Sequence, residues 1–291
     1  MNALLGKITN LIKAILLDAI HSNNTAAEQL VIANQYRLMK KLLKPKEMPD
    51  LSDVGFSFNS QFEEDGILLY IFSLIKPTNR RVVEICAGAG RECMSANLII
   101  NHGWDGLLFD GDKDNVEKGK KYFAEFKSVR LNPPKYIQSW ITKDNINKLI
   151  IDNGFIGPID LLSLDIDGID YYLMQAITAI NPRVIICETH NIIPDNLSLA
   201  IPYNANFNHL EETHPDFMGV SLLAMKKLLN KKGYRLIGAN RYGFNTIFMR
   251  KGVGEKYFPQ VSIKSVHDNS FTREAKSTRW SRVKDMPWVK V

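Results

Sequence analysis

Apolar positions along this chain follow two periods. From residue 81 onward, short continuous apolar runs alternate with segments whose apolar residues return every three or four positions, the marks of doubly buried strands and amphipathic helices. The runs predict strands over 81–85, 107–109, 136–140, 160–164 and 184–187. Helices are expected over 61–75 (Ile67, Leu68, Ile71, Phe72 and Ile75 apolar), through Ile100, and over 113–126, 143–153, 169–180 and 220–230. The last of these stops at Lys231-Lys232-Gly233, basic residues followed by a glycine. Two closing strands, 234–239 and 245–250, are joined through Asn240-Arg241-Tyr242-Gly243, a connection short enough to require an antiparallel pair. Between them and the earlier strands, 191–217 is irregular and proline-bearing, a length of loop uncommon unless it has a task.

Ahead of this pattern lies an amphipathic stripe of Leu4, Ile8, Leu11, Ile15 and Ala19, with Lys7, Asn10, Lys13 and Asp18 off it. Asn23-Asn24-Thr25 breaks it before a second helix over 26–43, and Lys44-Pro45-Lys46 with Met48-Pro49 reads as a linker. The chain therefore divides into an N-terminal helical segment (1–50), one α/β domain (51–252) and a basic tail (253–291). Charges interrupt the first stripe too often for a membrane span, and no cleavage-site pattern follows it. Packing on the domain or homo-oligomer formation through this helix is expected, with a membrane-surface role as the alternative.

The stretch from Arg81 to Asp112 carries the most chemistry. Val82 and Val83 lead to Glu84, the chain turns through Ala87, Gly88 and Gly90, and a second apolar run ends at Asp110-Gly111-Asp112. A strand, glycine turn, helix and acid-tipped strand is the layout of a nucleotide-binding half-fold. The dinucleotide fingerprint G-x-G-x-x-G fails, because Cys93 stands where the third glycine belongs. A strand ending in an acid and then G-x-G-x-G, the class I methyltransferase pattern, fits better: Glu84, Gly88 and Gly90 match, and Cys86 replaces the first glycine. S-adenosylmethionine (SAM) carries no pyrophosphate and needs an acid near its ammonium group, which Glu84 or a neighbour can provide. Asp110 or Asp112 would accept from the ribose hydroxyls, and Trp140 would stack on adenine with Ser139 or Gln138 at its edge.

Several blocks occur in one order: Ser60-Gln61 with Glu64-Asp65-Gly66, VEICAGAGRE, LLFDGD, DLLSLDIDGIDYYL, PRVIICETHN and KKGYRLIGANRYGFNTIFMR. Together, from about Asn59 to about Arg250, they resemble the FkbM-like branch of class I SAM-dependent methyltransferases. The resemblance implies a Rossmann-like seven-stranded sheet with an antiparallel last hairpin, SAM as cofactor, and O-methylation of a sugar or glycan precursor. It also places Gln61 and Asp65 near the methionine end of SAM; Asp165, at the end of the fourth strand, reaches the crevice because ligands of open α/β sheets bind beyond the strands' C-terminal ends. Asp165 and Glu188 stand where metal-dependent O-methyltransferases carry carboxylate ligands, a donor set suited to Mg²⁺. Thr189 occupies the place of a further Asp or Asn ligand.

Composition adds bounds. The 291 residues, 45% hydrophobic and 23% charged, suffice for one large α/β domain with a substantial core. A net charge of +6 is compatible with an anionic acceptor such as a sugar nucleotide. Cys86, Cys93 and Cys187 fall inside expected core elements with no zinc spacing, as in a reducing cytoplasm. Transfer to a hydroxyl needs a general base or a metal that acidifies it. His190, of a residue type that titrates near neutrality, and Asp167 are the candidates. The 191–217 loop, with Tyr203, His209, Glu211, Glu212 and His214, should cover the acceptor. Asn132-Pro133-Pro134-Lys135 is similar to the N-P-P-aromatic signature of DNA amino-methyltransferases, but it precedes the third strand and lacks the aromatic. Lys and Arg residues interleaved with Phe271, Trp280 and Trp288 in the tail leave a nucleic-acid methyltransferase as one alternative. A non-catalytic SAM-binding subunit, favoured by the lost glycine at Cys86, is the other.

Overall fold

The structure, a computed structural model, describes residues 25–208 and 214–291. The Leu4–Ala19 stripe and His209, Glu211 and Glu212 lie outside these residues. The elements run α1 (Thr25–Leu42), α2 (Glu64–Ile75), β1 (Arg81–Ile85), α3 (Ala96–His102), β2 (Asp105–Asp110) and α4 (Lys113–Ala124). They continue with β3 (Lys135–Gln138), α5 (Ile146–Asp152), β4 (Gly157–Leu164), α6 (Asp170–Ala176), β5 (Ile180–Glu188), β6 (Leu199–Ala200) and α7 (Leu222–Lys231). The chain ends with β7 (Tyr234–Ala239), β8 (Asn245–Arg250), α8 (Ile263–His267), α9 (Ser270–Val283) and β9 (Val289–Lys290).

Seven strands form one sheet in the order β3-β2-β1-β4-β5-β8-β7. The first five are mutually parallel, and β8 runs antiparallel to both β5 and β7. This is the Rossmann-like class I methyltransferase sheet, flanked by helices on both faces. Alternation along each strand divides its side chains between the two sides. Val83, Ile85, Leu162, Leu164 and Ile185 join the core under α5, α6 and α7. Val82, Leu161, Val184 and Ile186 join the other, under α2, α3 and α4. Burial on both sides is why these strands read as unbroken apolar runs.

Tertiary partners moved some element ends. The helix expected over 169–180 stops at Ala176, because Asn147 of α5 accepts from the Thr178 and Ala179 amides at 2.8 and 2.9 Å and draws the chain out straight. Strand β5 then starts at Ile180 and tolerates Pro182, which β4 flanks at Ile159 while β8 begins its pairing only at Val184. Strand β3 ends at Gln138, leaving Trp140 beyond it.

Outside the sheet, α1 lies against α2 and α3 through Tyr36 on Tyr70 (centroids 4.8 Å apart) and a reciprocal amide pair between Gln29 and Asn97. Residues after Arg250, expected as a basic tail, form α8 and α9 and finish in β9, which pairs antiparallel with β6. Trp288 packs on Phe217 with centroids 4.8 Å apart and donates to the Val283 carbonyl at 2.8 Å. Its indole is thus engaged with its own domain. Among the described residues no helix is long and apolar enough to cross a membrane.

Candidate active site

Strands β1 and β4 are neighbours, yet from them the chain proceeds to opposite edges of the sheet, so a crevice opens beyond their C-terminal ends. The turn after β1 enters it. Gly88 and Gly90 take φ of +59° and +78°, and Cys86 takes +68°. Cys86 thus occupies the left-handed conformation that the missing glycine would adopt freely, at a cost of roughly 1–2 kcal/mol for a residue with a Cβ. Contrary to the core position expected of it, Cys86 is exposed; Cys93 and Cys187 are buried.

Asp110, at the tip of β2, holds this turn. One carboxylate oxygen accepts from the Gly88 amide at 2.9 Å, and the other from the Asp112 amide at 2.8 Å and the Asn115 side chain at 3.3 Å. Burial outweighs those bonds and raises its pKa above the usual carboxylate range. Asp112 caps α4 by accepting from the Asn115 amide at 2.9 Å. Ala87 is buried and donates to the Phe109 carbonyl at 2.9 Å.

Glu84 has a local task. Its buried carboxylate accepts from the Met94 and Ser95 amides at 2.9 and 2.8 Å and from the Cys93 thiol at 3.2 Å, fixing the segment that leads into α3. Asp65 acts likewise at the start of α2, one oxygen accepting from the amides of Phe58, Asn59 and Ser60 at 2.7, 2.5 and 2.8 Å. Burial pushes its carboxyl up to about 6. Its other oxygen and the Asn59 side-chain oxygen are buried without a hydrogen-bond partner. A bridge from Ser60 to Glu92 sets both beside the glycine turn. Gln61 is exposed.

A cavity of about 200 Å³ lies over the ends of β1, β2 and β4. Asp110, Gly111, Asp112, Ser139, Trp140 and Asp167, all picked out from sequence, line it. Gln61, Asp65, Glu84, Ala87, Gly88, Gly90 and Asp165 stand outside that lining. The Trp140 ring lies on Gly111, where a Cβ would come within 2.8 Å of it, and its indole N–H donates to the Ala205 carbonyl at 2.7 Å. Ala205, Phe207 and Asn208 complete the wall. No local signal marked these three, because only the return of the 191–217 segment over the sheet places them. Through these three residues that segment borders the cavity. A larger cavity of about 350 Å³ sits at the opposite ends of β4 and β5, around Ile180, Pro182, Lys232 and Tyr234. It gathers no acids, and Lys232 there is committed to the Ile177 carbonyl at 2.8 Å.

Beside the first cavity, Asp165, Asp167 and Glu188 each bring a carboxylate oxygen to within 4.8 Å of the other two. Burial and the neighbouring charges of Asp167 and Asp170 push Asp165 well up, and burial with Asp165 and Asp167 does the same to Glu188. Asp170 holds the turn beneath them, accepting from the Ile166 and Gly168 amides at 3.0 and 2.9 Å, and burial pushes it up to about 6. Asp167 has φ +54°, a strained backbone for a side chain on this rim. Sequence paired Asp165 with Glu188; the structure adds Asp167. Three hard oxygen donors at this spacing, crowded by like charge, fit a divalent cation such as Mg²⁺.

His190 is only 6% exposed, and a ring nitrogen bonds the Asp216 carbonyl at 2.8 Å. Burial pushes its pKa down to about 4, so it is neutral at physiological pH and a weaker base than an ordinary histidine. Arg279 of α9 clamps the Asp216 carboxylate.

No protein-family model matches the chain, and no curated protein sequence matches it. Comparison with solved structures finds similar backbones among methyltransferases. The N-terminal domain of EvdMO1 with S-adenosylhomocysteine (SAH) bound is 11% identical, with a TM-score of 0.40 over 67% of this chain and 90% of that one. A SAM-dependent methyltransferase from Clostridium acetobutylicum is 10% identical, with a TM-score of 0.41 over 64% and 89%. The glycopeptide N-methyltransferase MtfA complexed with SAM is 12% identical, with a TM-score of 0.38 over 61% and 84%.

Proposed function

We propose that this chain is a cytoplasmic SAM-dependent O-methyltransferase acting on a hydroxyl of a sugar or glycan precursor. The observation that carries the reading is the junction of two features in one crevice. A cavity floored by Asp110-Gly111-Asp112 and walled by Trp140 suits a nucleoside, and a trio of carboxylates adjoins it. At about 200 Å³ the cavity falls below the ~300–1,000 Å³ of whole-ligand pockets, so it suits one part of a ligand whose remainder reaches the acids.

In this reading Asp110, through lone pairs left by its backbone bonds, and Asp112 accept from the ribose hydroxyls. Trp140 stacks on adenine, with Ser139 at its edge. The turn of Cys86, Ala87, Gly88 and Gly90 passes under the thioether. Asp65 and Asn59, each with an unpaired buried oxygen, meet the ammonium group, with Gln61 at the carboxylate end; Glu84 acts by shaping the turn. When bound, SAM would supply an electrophilic sulfonium methyl group, whose S–C bond breaks to leave SAH. Asp167 takes the proton from the acceptor hydroxyl as the new bond forms. His190, with its lowered basicity and its bond to Asp216, serves better as the support of that rim than as the base. Asp165 and Glu188 would hold Mg²⁺, which if bound would lower the pKa of a coordinated hydroxyl.

Calorimetry tests the nucleoside half first. SAH should bind, and Asp110→Ala should weaken it by at least roughly tenfold, about 1.4 kcal/mol. Binding of a nicotinamide dinucleotide with no response to SAH would sink the reading. For the acidic trio, Mg²⁺ titrated into SAH-loaded protein should bind in wild type and fail in Asp165→Asn; full turnover in EDTA would remove the metal from the scheme.

A further inference from the structure

Four aromatic rings stand apart from both hydrophobic cores. Phe62, Tyr242, Phe244 and Phe271 come from the approach to α2, the β7–β8 turn and α9. Phe62 lies 5.0 Å from Phe244 and 5.1 Å from Tyr242, both edge-to-face, and Tyr242 and Phe244 are stacked at 5.8 Å. Phe271 closes the group at 5.3 Å from Tyr242. None is fully buried, and Phe271 is 42% exposed. Phe62, Tyr242 and Phe244 are half-buried, so the group reaches the surface through Phe271 and part of each other ring.

The patch adjoins the carboxylate rim. Asn245 stands directly opposite Glu188 in the β5–β8 register, and the Thr189 amide donates to the Phe244 carbonyl at 2.8 Å. The Asn191 side chain donates to the Tyr242 carbonyl at 3.0 Å, as does the Thr272 hydroxyl at 2.8 Å. The turn is also fastened from below. Asn240 and Asn245 donate to the buried Glu64 carboxylate at 3.0 and 2.7 Å, and Glu63 pairs with Arg241. A surface so fixed loses little entropy when a ligand settles on it.

We propose that Phe62, Tyr242, Phe244 and Phe271 form the acceptor subsite, a platform for the apolar C–H face of a sugar ring whose hydroxyl edge meets Asp167 and Glu188. The assignment rests on the transferase reading and gives its acceptor a place. A pyranose has one face of C–H bonds, which an electron-rich ring attracts, and a rim of hydroxyls, which carboxylates accept. The turn that carries Tyr242 and Phe244 meets the end of β5 where Glu188 stands, which brings both kinds of surface to one end of the sheet.

Saturation-transfer NMR on SAH-loaded protein tests this, with the methyl glycosides of glucose, rhamnose and fucose as probes and 2-naphthol as comparator. Ring C–H enhancements from at least one glycoside are expected in wild type. They should fall about fivefold in Phe244→Ala, the weight of one aromatic contact, and return in Phe244→Trp. The exposed Phe271→Ala should lower them too, and it serves if Phe244→Ala fails to fold. SAH affinity should stay within roughly twofold in each. Enhancements that ignore both alanine variants, their absence for every glycoside in SAH-loaded wild type, or their restriction to 2-naphthol would overturn the platform. Failure of wild type to bind SAH overturns instead the transferase reading beneath it.

Discussion

Cys86 shows how one side chain can keep the backbone of a turn while breaking its glycine pattern. The position demands a left-handed backbone, and its φ of +68° is met by a small, unbranched residue. Cys86→Gly should therefore leave the unfolding free energy within about 1 kcal/mol of wild type, relief of the strained φ being offset by the added entropy of glycine in the unfolded chain. Cys86→Val, branched at Cβ, should destabilise and cost SAH affinity by calorimetry. Retained affinity in the valine variant would separate the turn from binding. His190 carries a second expectation. Its pKa is pushed down to about 4 by burial, against about 6.5 in an unfolded chain. Its contribution is therefore complete above the unfolded value and is lost as pH falls through about 4. From about pH 7.5 to about pH 5 this one group should remove about 2 kcal/mol from the urea-unfolding free energy. His190→Gln should lack that slope. Asp65 and Asp170, pushed up to about 6, act in the opposite sense, their contribution fading as pH rises through 6, so the difference between wild type and variant is the quantity to read.

Strand β4 illustrates how an element is anchored at the end away from the chemistry. Asp160 lies on it with a fully buried side chain, accepting from the amides of Thr78, Asn79 and Arg80 at 2.7, 2.8 and 2.8 Å and from Arg183 at 2.9 Å. Although burial alone would raise its pKa, the Arg183 guanidinium and the three amides together hold it below the ordinary carboxylate value. Asp160→Ala leaves those donors and one buried guanidinium edge unpaired, and about 3–5 kcal/mol of stability should be lost, measured by urea denaturation. Because the folded pKa is depressed, this support is present above the ordinary carboxylate range and fails only as pH falls beneath it. A loss under about 1 kcal/mol would mean that water replaces the carboxylate.

Over the whole chain, the C-terminal residues bind the sequence into one unit. β9 pairs with β6, Trp288 packs on Phe217, and Arg279 clamps Asp216 next to His190. Trp288→Ala should cost roughly 2 kcal/mol, less than the ~3–5 kcal/mol of a fully buried tryptophan because the ring is half-buried. It should also loosen residues 199–208 in hydrogen exchange, since the β6 edge loses its partner. Unchanged protection there would show that Trp140 and Ala205 hold the segment unaided.

The order of strands and helices was legible because each strand buried on both faces must be apolar throughout, and each glycine turn has a local backbone demand. β1, β7 and β8 came out with the bounds their apolar runs gave, and Asp110, Asp112, Trp140 and Asp167 meet at one cavity as their positions at strand ends required. Hydrogen-bond partners could not be read that way. Glu84 and Asp65 read as ligand acids; backbone amides take both oxygens of Glu84 but only one of Asp65, and burial lowers the pKa of His190. Ala205, Phe207 and the rings of Phe62, Phe244 and Phe271 have no local signature, since their neighbours lie far away in the chain. Local periodicity fixes which face of an element is apolar; charge state, pocket walls and the company a side chain keeps depend on segments that meet only once the sheet has closed.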